Sequence, residues 1–218
     1  MSYVITIDGP AGAGKSSVSK RLAEKLGILY LDTGAIYRAA GLFLNNLGIK
    51  PEDDLKIAEA MKNFKLELKN NLVFLNSHDI THEIRTAEVD NLASVYSADK
   101  AVREALFQFQ REQKNYGSLI AEGRDVGSVI FPDAEFKFFL TATPEARAKR
   151  RFLERQSKGV ENNNYDEILK AIISRDEHDS KRELSPLKIP DGAILIDTSF
   201  MNEDEVIERL LSLVESVI

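Results

Sequence analysis

Residues 9–16 read Gly-Pro-Ala-Gly-Ala-Gly-Lys-Ser, directly after the run Tyr3-Val4-Ile5-Thr6-Ile7. Strand, G-x-x-x-x-G-K-S, helix is the order of a phosphate-binding loop. The glycines let the backbone curl around an anion, and the curled N–H groups with the helix start behind them present positive potential. The pattern alone arises by chance; its surroundings make it specific. Strand formers precede it, and Val18, Leu22 and Leu26 follow at the four-residue spacing of an amphipathic helix. The loop therefore predicts a nucleoside triphosphate as ligand. Gly9, Pro10, Ala11, Gly12, Ala13, Gly14, Lys15, Ser16 and Ser17 are its candidate contacts. Lys15 would serve the outer phosphates, and the Ser16 hydroxyl would serve Mg²⁺.

Two charge-related observations limit the alternatives. A net charge of −6 argues against a general nucleic-acid binder, so cations for an anionic ligand must be concentrated locally. Without cysteine there is no disulfide framework, thiolate nucleophile or Cys-based zinc site. The three histidines, His78, His82 and His178, lack zinc-ligand spacing and are expected to be structural or exposed. The start of the sequence shows no signal-peptide pattern, and no apolar run approaches the ~20 residues that span a bilayer, so a cytoplasmic location is expected.

Strand-like runs at Tyr3–Ile7, Ile28–Leu31, Leu119–Ala121, Phe136–Leu140 and Ala193–Ile196 alternate with helical patterns. Such alternation predicts an α/β fold with a parallel sheet covered on both faces. Ligands on these sheets sit at the carboxyl ends of the strands. Residues 9–16, Asp32-Thr33, Glu122–Asp125 and Thr141–Thr143 would then share one rim. Between Phe64 and Asn76 the pattern changes: Lys65-Leu66-Glu67-Leu68-Lys69 alternates, Asn70-Asn71 signals a turn and Leu72-Val73-Phe74-Leu75 follows, which predicts a β-hairpin inside an inserted subdomain spanning about 48–88. Ser157 to Tyr165, with Gly159 and Asn162-Asn163-Asn164, reads as a mobile loop between two helices.

Four charged groupings stand out. Arg147, Lys149, Arg150, Arg151, Arg155 and Lys158 face only Glu145 and Glu154 in their stretch. On a helix Arg147, Arg150, Arg151, Arg155 and Lys158 fall within an arc of about 140°. The run is either a solvated face or a clamp over triphosphate, with Glu154 available to Arg150 or Arg151. Arg175, Asp179 and Arg182 share one helix face, suited to a phosphate and a sugar hydroxyl or merely to surface ion pairs. In Glu122-Gly123-Arg124-Asp125, Arg124 can fork onto phosphate and Asp125 can accept from an amino group or serve a metal; an ordinary turn is the other reading. In Asp32-Thr33-Gly34-Ala35-Ile36-Tyr37-Arg38, Gly34 opens a helix with Arg38 one turn in. Phe107 and Phe109, beside Arg103, are expected in the core.

Together these segments resemble the bacterial type of cytidylate kinase over nearly the whole chain. The resemblance is carried by I-T-I-D-G-P-A-G-A-G-K-S (Ile5 to Ser16), L-D-T-G-A-I-Y-R (Leu31 to Arg38), E-I-R-T (Glu83 to Thr86), V-R-E-A-L (Val102 to Leu106), A-E-G-R-D-V-G (Ala121 to Gly127), F-P-D-A (Phe131 to Ala134), and the Arg175–Arg182 helix followed by S-P-L (Ser185 to Leu187). The resemblance implies a single kinase unit with a five-stranded parallel sheet, an enlarged monophosphate-binding insertion and a short arginine-rich helical lid. The corresponding parts would be 1–35, 90–143 and 183–218 for the core, 36–89 for the insertion and 144–182 for the lid and its flanking helices. It further implies that Thr33, Tyr37, Arg38, Arg124, Arg175, Asp179 and Arg182 line CMP or dCMP, while Ser94, Arg103 and Asp125 read cytosine. Arg150 and Arg151 would cover the ATP. Lys15, Arg124, Arg150 and Arg182 would act on the transferred phosphoryl group, with Mg²⁺, in a monomer that engages neither nucleic acid nor membrane. Thr33 stands where the family often has serine, and Ala11 where serine would add a contact. A GTP-binding switch would also show D-x-x-G and N/T-K-x-D, and neither occurs.

Overall fold

Val4-Ile5-Thr6-Ile7-Asp8 is buried at every position, as a central parallel strand must be when helices cover both sheet faces. A computed structural model describes residues 2–69, 72–160 and 163–216. In chain order it runs β1 (Val4–Asp8), α1 (Lys15–Leu26), β2 (Leu29–Asp32), α2 (Thr33–Asn46), α3 (Asp54–Met61), β3 (Leu66–Lys69), β4 (Leu72–Leu75), β5 (His78–Asp79), α4 (Ala87–Tyr96), α5 (Lys100–Glu112), β6 (Leu119–Gly123), β7 (Phe136–Thr141), α6 (Pro144–Ser157), α7 (Tyr165–Lys181), β8 (Ile194–Asp197) and α8 (Glu203–Glu215). Contacts divide the chain into two compact units, Met1–Leu31 with Lys114–Ile218, and Asp32–Gln113.

The first unit is built on a five-stranded sheet in the order β2-β6-β1-β7-β8. β1 pairs in parallel with β6 on one side and β7 on the other, and β7 pairs in parallel with β8. Ile5, Ile7, Ile120, Phe138 and Leu140 from the strands pack with Val18 and Leu22 of α1 and with Val206, Ile207, Leu210 and Val214 of α8. The four-residue apolar spacing of α1 therefore faces the sheet as expected. A smaller cluster of Ala148, Ile168 and Ile172, flanked by Phe152, Tyr165 and Leu169, joins α6 to α7. Local chemistry fixes the helix starts. Thr143 caps α6 ahead of Pro144 at its first turn, and Asn202 with Glu205 forms a reciprocal capping box on α8.

In the second unit α2 packs on α4 and α3 on α5. β3, β4 and the two-residue β5 form an antiparallel sheet, with Leu66 opposite Leu75 and Phe74 opposite Asp79. The hairpin predicted from alternation is present and gains a third short strand; its Asn70-Asn71 turn, like Asn162, lies outside the described residues. This unit runs to Gln113, beyond the 36–89 expected of the insertion, because the buried faces of α4 and α5 lie against α2 and α3.

Candidate active site

The phosphate loop leaves the carboxyl end of β1. Gly9 has φ +147°, and a Cβ there would strike the backbone carbonyl of Leu140 on the neighbouring β7. No other residue fits that bend. Gly14, at φ +90°, stands at the N-cap of α1 and supplies no side-chain cap, so the first-turn amides of α1 keep their capacity for an anion. The Ser16 and Ser17 side chains are exposed beside them. Lys15 is only 5% exposed, and its Nζ donates to the Pro10 carbonyl at 2.9 Å. Burial lowers its pKa to about 7, with the like charges of Arg124 and Arg175 acting in the same direction and Glu122 and Asp8 opposing. The loop lysine thus sits in a field of two arginines and two carboxylates drawn from β1, β6 and the residue after it, and α7.

Asp8 closes β1, and the sequence reading stopped one residue short of it. Its carboxylate is fully buried and accepts from the backbone amides of Val126 at 2.8 Å and Gly127 at 2.7 Å. Burial raises its pKa to about 6, against the lowering effect of those two amides. These bonds anchor the π-helical turn Val126–Ile130 directly after Arg124-Asp125. Gly127 is required there, since a Cβ would come within 2.6 Å of Thr6 Oγ1 and 3.0 Å of Asp8 Oδ2. Arg124 Nε donates to Asp179 Oδ2 at 3.0 Å, and Arg182 Nη2 lies 3.6 Å from Asp125 Oδ1. Arg182 also donates through Nε to the Ser185 carbonyl at 2.6 Å, and the Leu187 amide donates to the Asp179 carbonyl at 2.8 Å. The S-P-L segment after α7 therefore folds back to hold that helix end. Tyr30 donates to Glu122 at 2.8 Å. Arg124 and Arg175 act on the charge of Lys15, Arg124 in turn meets Asp179, and Asp125 meets Arg182, so these residues from two distant stretches pair within this unit.

The basic residues of α6 do not share one environment. Arg147 is 3% exposed, and its guanidinium donates to the Ala142 carbonyl at 2.9 Å, the Ala11 carbonyl at 3.0 Å, and both oxygens of Asp176, at 3.0 Å and 2.5 Å. It belongs to the interior, which corrects both its reading as a solvated residue and its place in the clamp. The reason is that α6 packs on α7, which brings Asp176 opposite. Arg150 donates to the Thr198 hydroxyl at 3.1 Å, to the Thr198 carbonyl, and to the Met201 carbonyl at 3.4 Å. The Thr198 hydroxyl itself lies 3.3 Å from the Ala13 carbonyl of the phosphate loop. Arg151 is half-buried. Glu154 pairs with Lys158 at 2.5 Å, so its anticipated partner on Arg150 or Arg151 is replaced by the next turn of the helix.

In the second unit Asp32 caps α2 by accepting from Ala35 at 2.8 Å and pairs with Arg85 at 3.0 Å. Arg85 is the arginine of the E-I-R-T segment, whose partner had no signal in the sequence. Arg38 Nε donates to Asp90 Oδ1 at 2.9 Å, and its Nη1 lies 3.8 Å from Asp32 Oδ1. The guanidinium of Arg103 sits over the Tyr37 ring at 5.4 Å and donates to the Ser97 carbonyl at 3.0 Å. Thr33 and Tyr37 are buried on α2, and Ser94 lies on α4, one turn before Ser97. Phe107 is 39% exposed and Phe109 half-buried, so neither is a core residue as expected; the buried face of α5 is instead Val102, Leu106 and Gln110.

Among the described residues no cluster of His, Cys, Asp or Glu could hold a metal by itself. One exposed hydroxyl at the helix start, Ser16, fits a Mg²⁺ held mainly by substrate phosphates and water, which is how this ion is ordinarily bound in phosphotransfer sites.

The profile described as cytidylate kinase matches residues 5–216. A cytidylate kinase of Thermosipho melanesiensis is 48% identical over 211 residues, 97% of this chain and 96% of that protein. One from Caldanaerobacter subterraneus subsp. tengcongensis is 47% identical, covering 96% of this chain and 93% of its own length. Among solved structures, an uncharacterized protein from Eubacterium ventriosum aligns with TM-score 0.55 at 15% identity, over 99% of each chain, a likeness of fold alone. With the family model matching nearly the whole chain and identity approaching one half over nearly the full length of these relatives, the chain belongs to the cytidylate kinase family.

Proposed function

We propose that the chain transfers the γ-phosphoryl group of ATP to CMP, and also to dCMP, giving CDP or dCDP and ADP. The observation that carries this reading is the convergence of Arg124 and Arg175 on the buried Lys15 of the phosphate loop, with Arg182 held beside Asp125. Two multiply charged anions repel one another, so positive groups must meet them from both sides. Lys15 and the loop amides would take the donor phosphates. Arg38, Arg124, Arg175 and Arg182 would take the acceptor phosphate, with Thr33 and Tyr37 beside it and Asp179 on the sugar. Arg150 and Arg151 would cover the ATP and keep water, the competing acceptor, away. Ser16 would help hold Mg²⁺, which when bound would supply charge neutralisation on the donor phosphates.

The attacking atom is an already ionised phosphate oxygen, so no general base is required. Selection of the base would rest on Ser94, Arg103 and Asp125. A carboxylate accepts from the amino group of cytosine and is repelled by the carbonyl that uracil presents at the same place. The reading includes action as a monomer in the cytoplasm, without nucleic acid or membrane; no helix among the described residues is long and apolar enough to cross a membrane. ADP release with CMP, dCMP, UMP, AMP and shikimate at equal concentration tests it. CMP and dCMP should be the best acceptors; a preference for AMP, UMP or shikimate refutes it.

A further inference from the structure

We propose that Arg147 and Asp176 are a positioning pair for phosphoryl transfer: they fix the Ala11–Gly12 peptide of the donor loop and lock it to α7, the helix of Arg175 and Asp179. The inference rests on the kinase reading above. One guanidinium spans three elements. Its Nε holds the Ala142 carbonyl after β7, its Nη1 holds the Ala11 carbonyl in the loop, and Nη1 with Nη2 grips the Asp176 carboxylate as a fork. The stem is part of the same fit. A Cβ on Gly12 would lie 3.2 Å from Arg147 Cβ, so the loop bends directly over this side chain.

The consequence for the loop follows from peptide geometry. Among the described residues no peptide bond is cis, so the N–H of Gly12 points opposite to the Ala11 carbonyl. Holding that carbonyl on Arg147 fixes the direction of one of the amides available to a phosphate. At the other end Asp176 adjoins Arg175 and precedes Asp179 by less than one helical turn. The pair therefore sets the distance between the loop that would hold the donor and the helix that would hold the acceptor. Phosphoryl transfer is sensitive to that distance, since a misplacement of ~1 Å costs about a hundredfold in rate. Neither residue needs to touch a substrate.

The decisive variant is R147M/D176M. Arg147 is buried and Asp176 half-buried, and replacing both members of such a pair by apolar side chains often preserves stability, so this protein should fold while losing the grip on Ala11. We expect kcat/KM for ATP to fall at least about tenfold, and the affinity for inorganic triphosphate, read by calorimetry, to fall with it. The midpoint of thermal unfolding should stay near that of the parent. A double variant with kinetics within about threefold of the parent would show that the pair only fills space, and would overturn the proposal. R147K supplies the second test, because an ammonium on a flexible stem cannot serve two carbonyls and a carboxylate at once. It should lose at least about fivefold in kcat/KM for ATP, and normal kinetics would overturn the proposal even if the double variant does not fold. The parent's own turnover of CMP, run alongside, tests the kinase reading separately, because triphosphate affinity is independent of the acceptor.

Discussion

Lys15 is expected to destabilise the ligand-free protein, and Lys15→Met should make it more stable while disabling it. The lysine is buried beside Arg124 and Arg175, and its pKa falls from 10.5 to about 7. A lowering of ~3.5 units corresponds to about 5 kcal/mol against the charged form. Loss of the bond to the Pro10 carbonyl returns about 1 kcal/mol of that. Asp8, which Lys15 draws down, becomes harder to bury in the variant and returns somewhat more. The net gain expected at pH 6.5 is about 2–4 kcal/mol, or roughly 5–15 °C in midpoint for a chain of this size. The pH dependence has a definite sign. The unfolded lysine keeps its proton up to about pH 10.5, while the folded one releases it above about 7. Between those values the unfolded state binds more protons, so the parent gains stability as pH rises and the penalty is fully present only below 7. The gap between variant and parent should therefore be widest at pH 6.5 and narrow toward pH 10. Denaturant unfolding of both proteins at a series of pH values measures it, with turnover expected to drop at least about a hundredfold. A variant no more stable than its parent at pH 6.5, or a gap that does not narrow, would refute the electrostatic account of the loop.

Gly9→Ala should cost about 3 kcal/mol or more, because the new methyl meets the Leu140 carbonyl at a φ that side chains avoid; a near-normal melting curve would contradict it. Arg182→Ala should lower transfer more than about tenfold with circular dichroism unchanged, since the side chain is braced by Ser185 beside Asp125. Near-normal rates would make it a structural residue only. Asp125→Ala should reduce the rate on CMP and narrow its advantage over UMP, and steady-state rates giving an unchanged ratio would retire Asp125 as the reader of the base.

The sequence by itself determined the parts that depend on neighbours along the chain. Glycine spacing specified the phosphate loop, because its bends require residues without Cβ. Apolar spacing at Val18, Leu22 and Leu26 specified the buried face of α1, and alternation over Lys65–Lys69 with the Asn70-Asn71 turn signal and the apolar run after it specified the β3–β4 hairpin. The parallel sheet followed from the order of strands and helices. Tertiary structure alone decided which charges meet. Arg147 read as one of six basic residues on a helix, in a solvated face or a clamp, until α7 brought Asp176 opposite, 29 positions away. Asp8 lay one residue beyond the strand read as Tyr3–Ile7, and only the return of the chain through β6 gave it the Val126 and Gly127 amides. The partner of Arg85 and the pairing of Arg124 with Asp179 were equally invisible. Helical and strand periods record burial, which is local and repetitive. An ion pair records a single approach between distant segments, and nothing in either segment's composition encodes it.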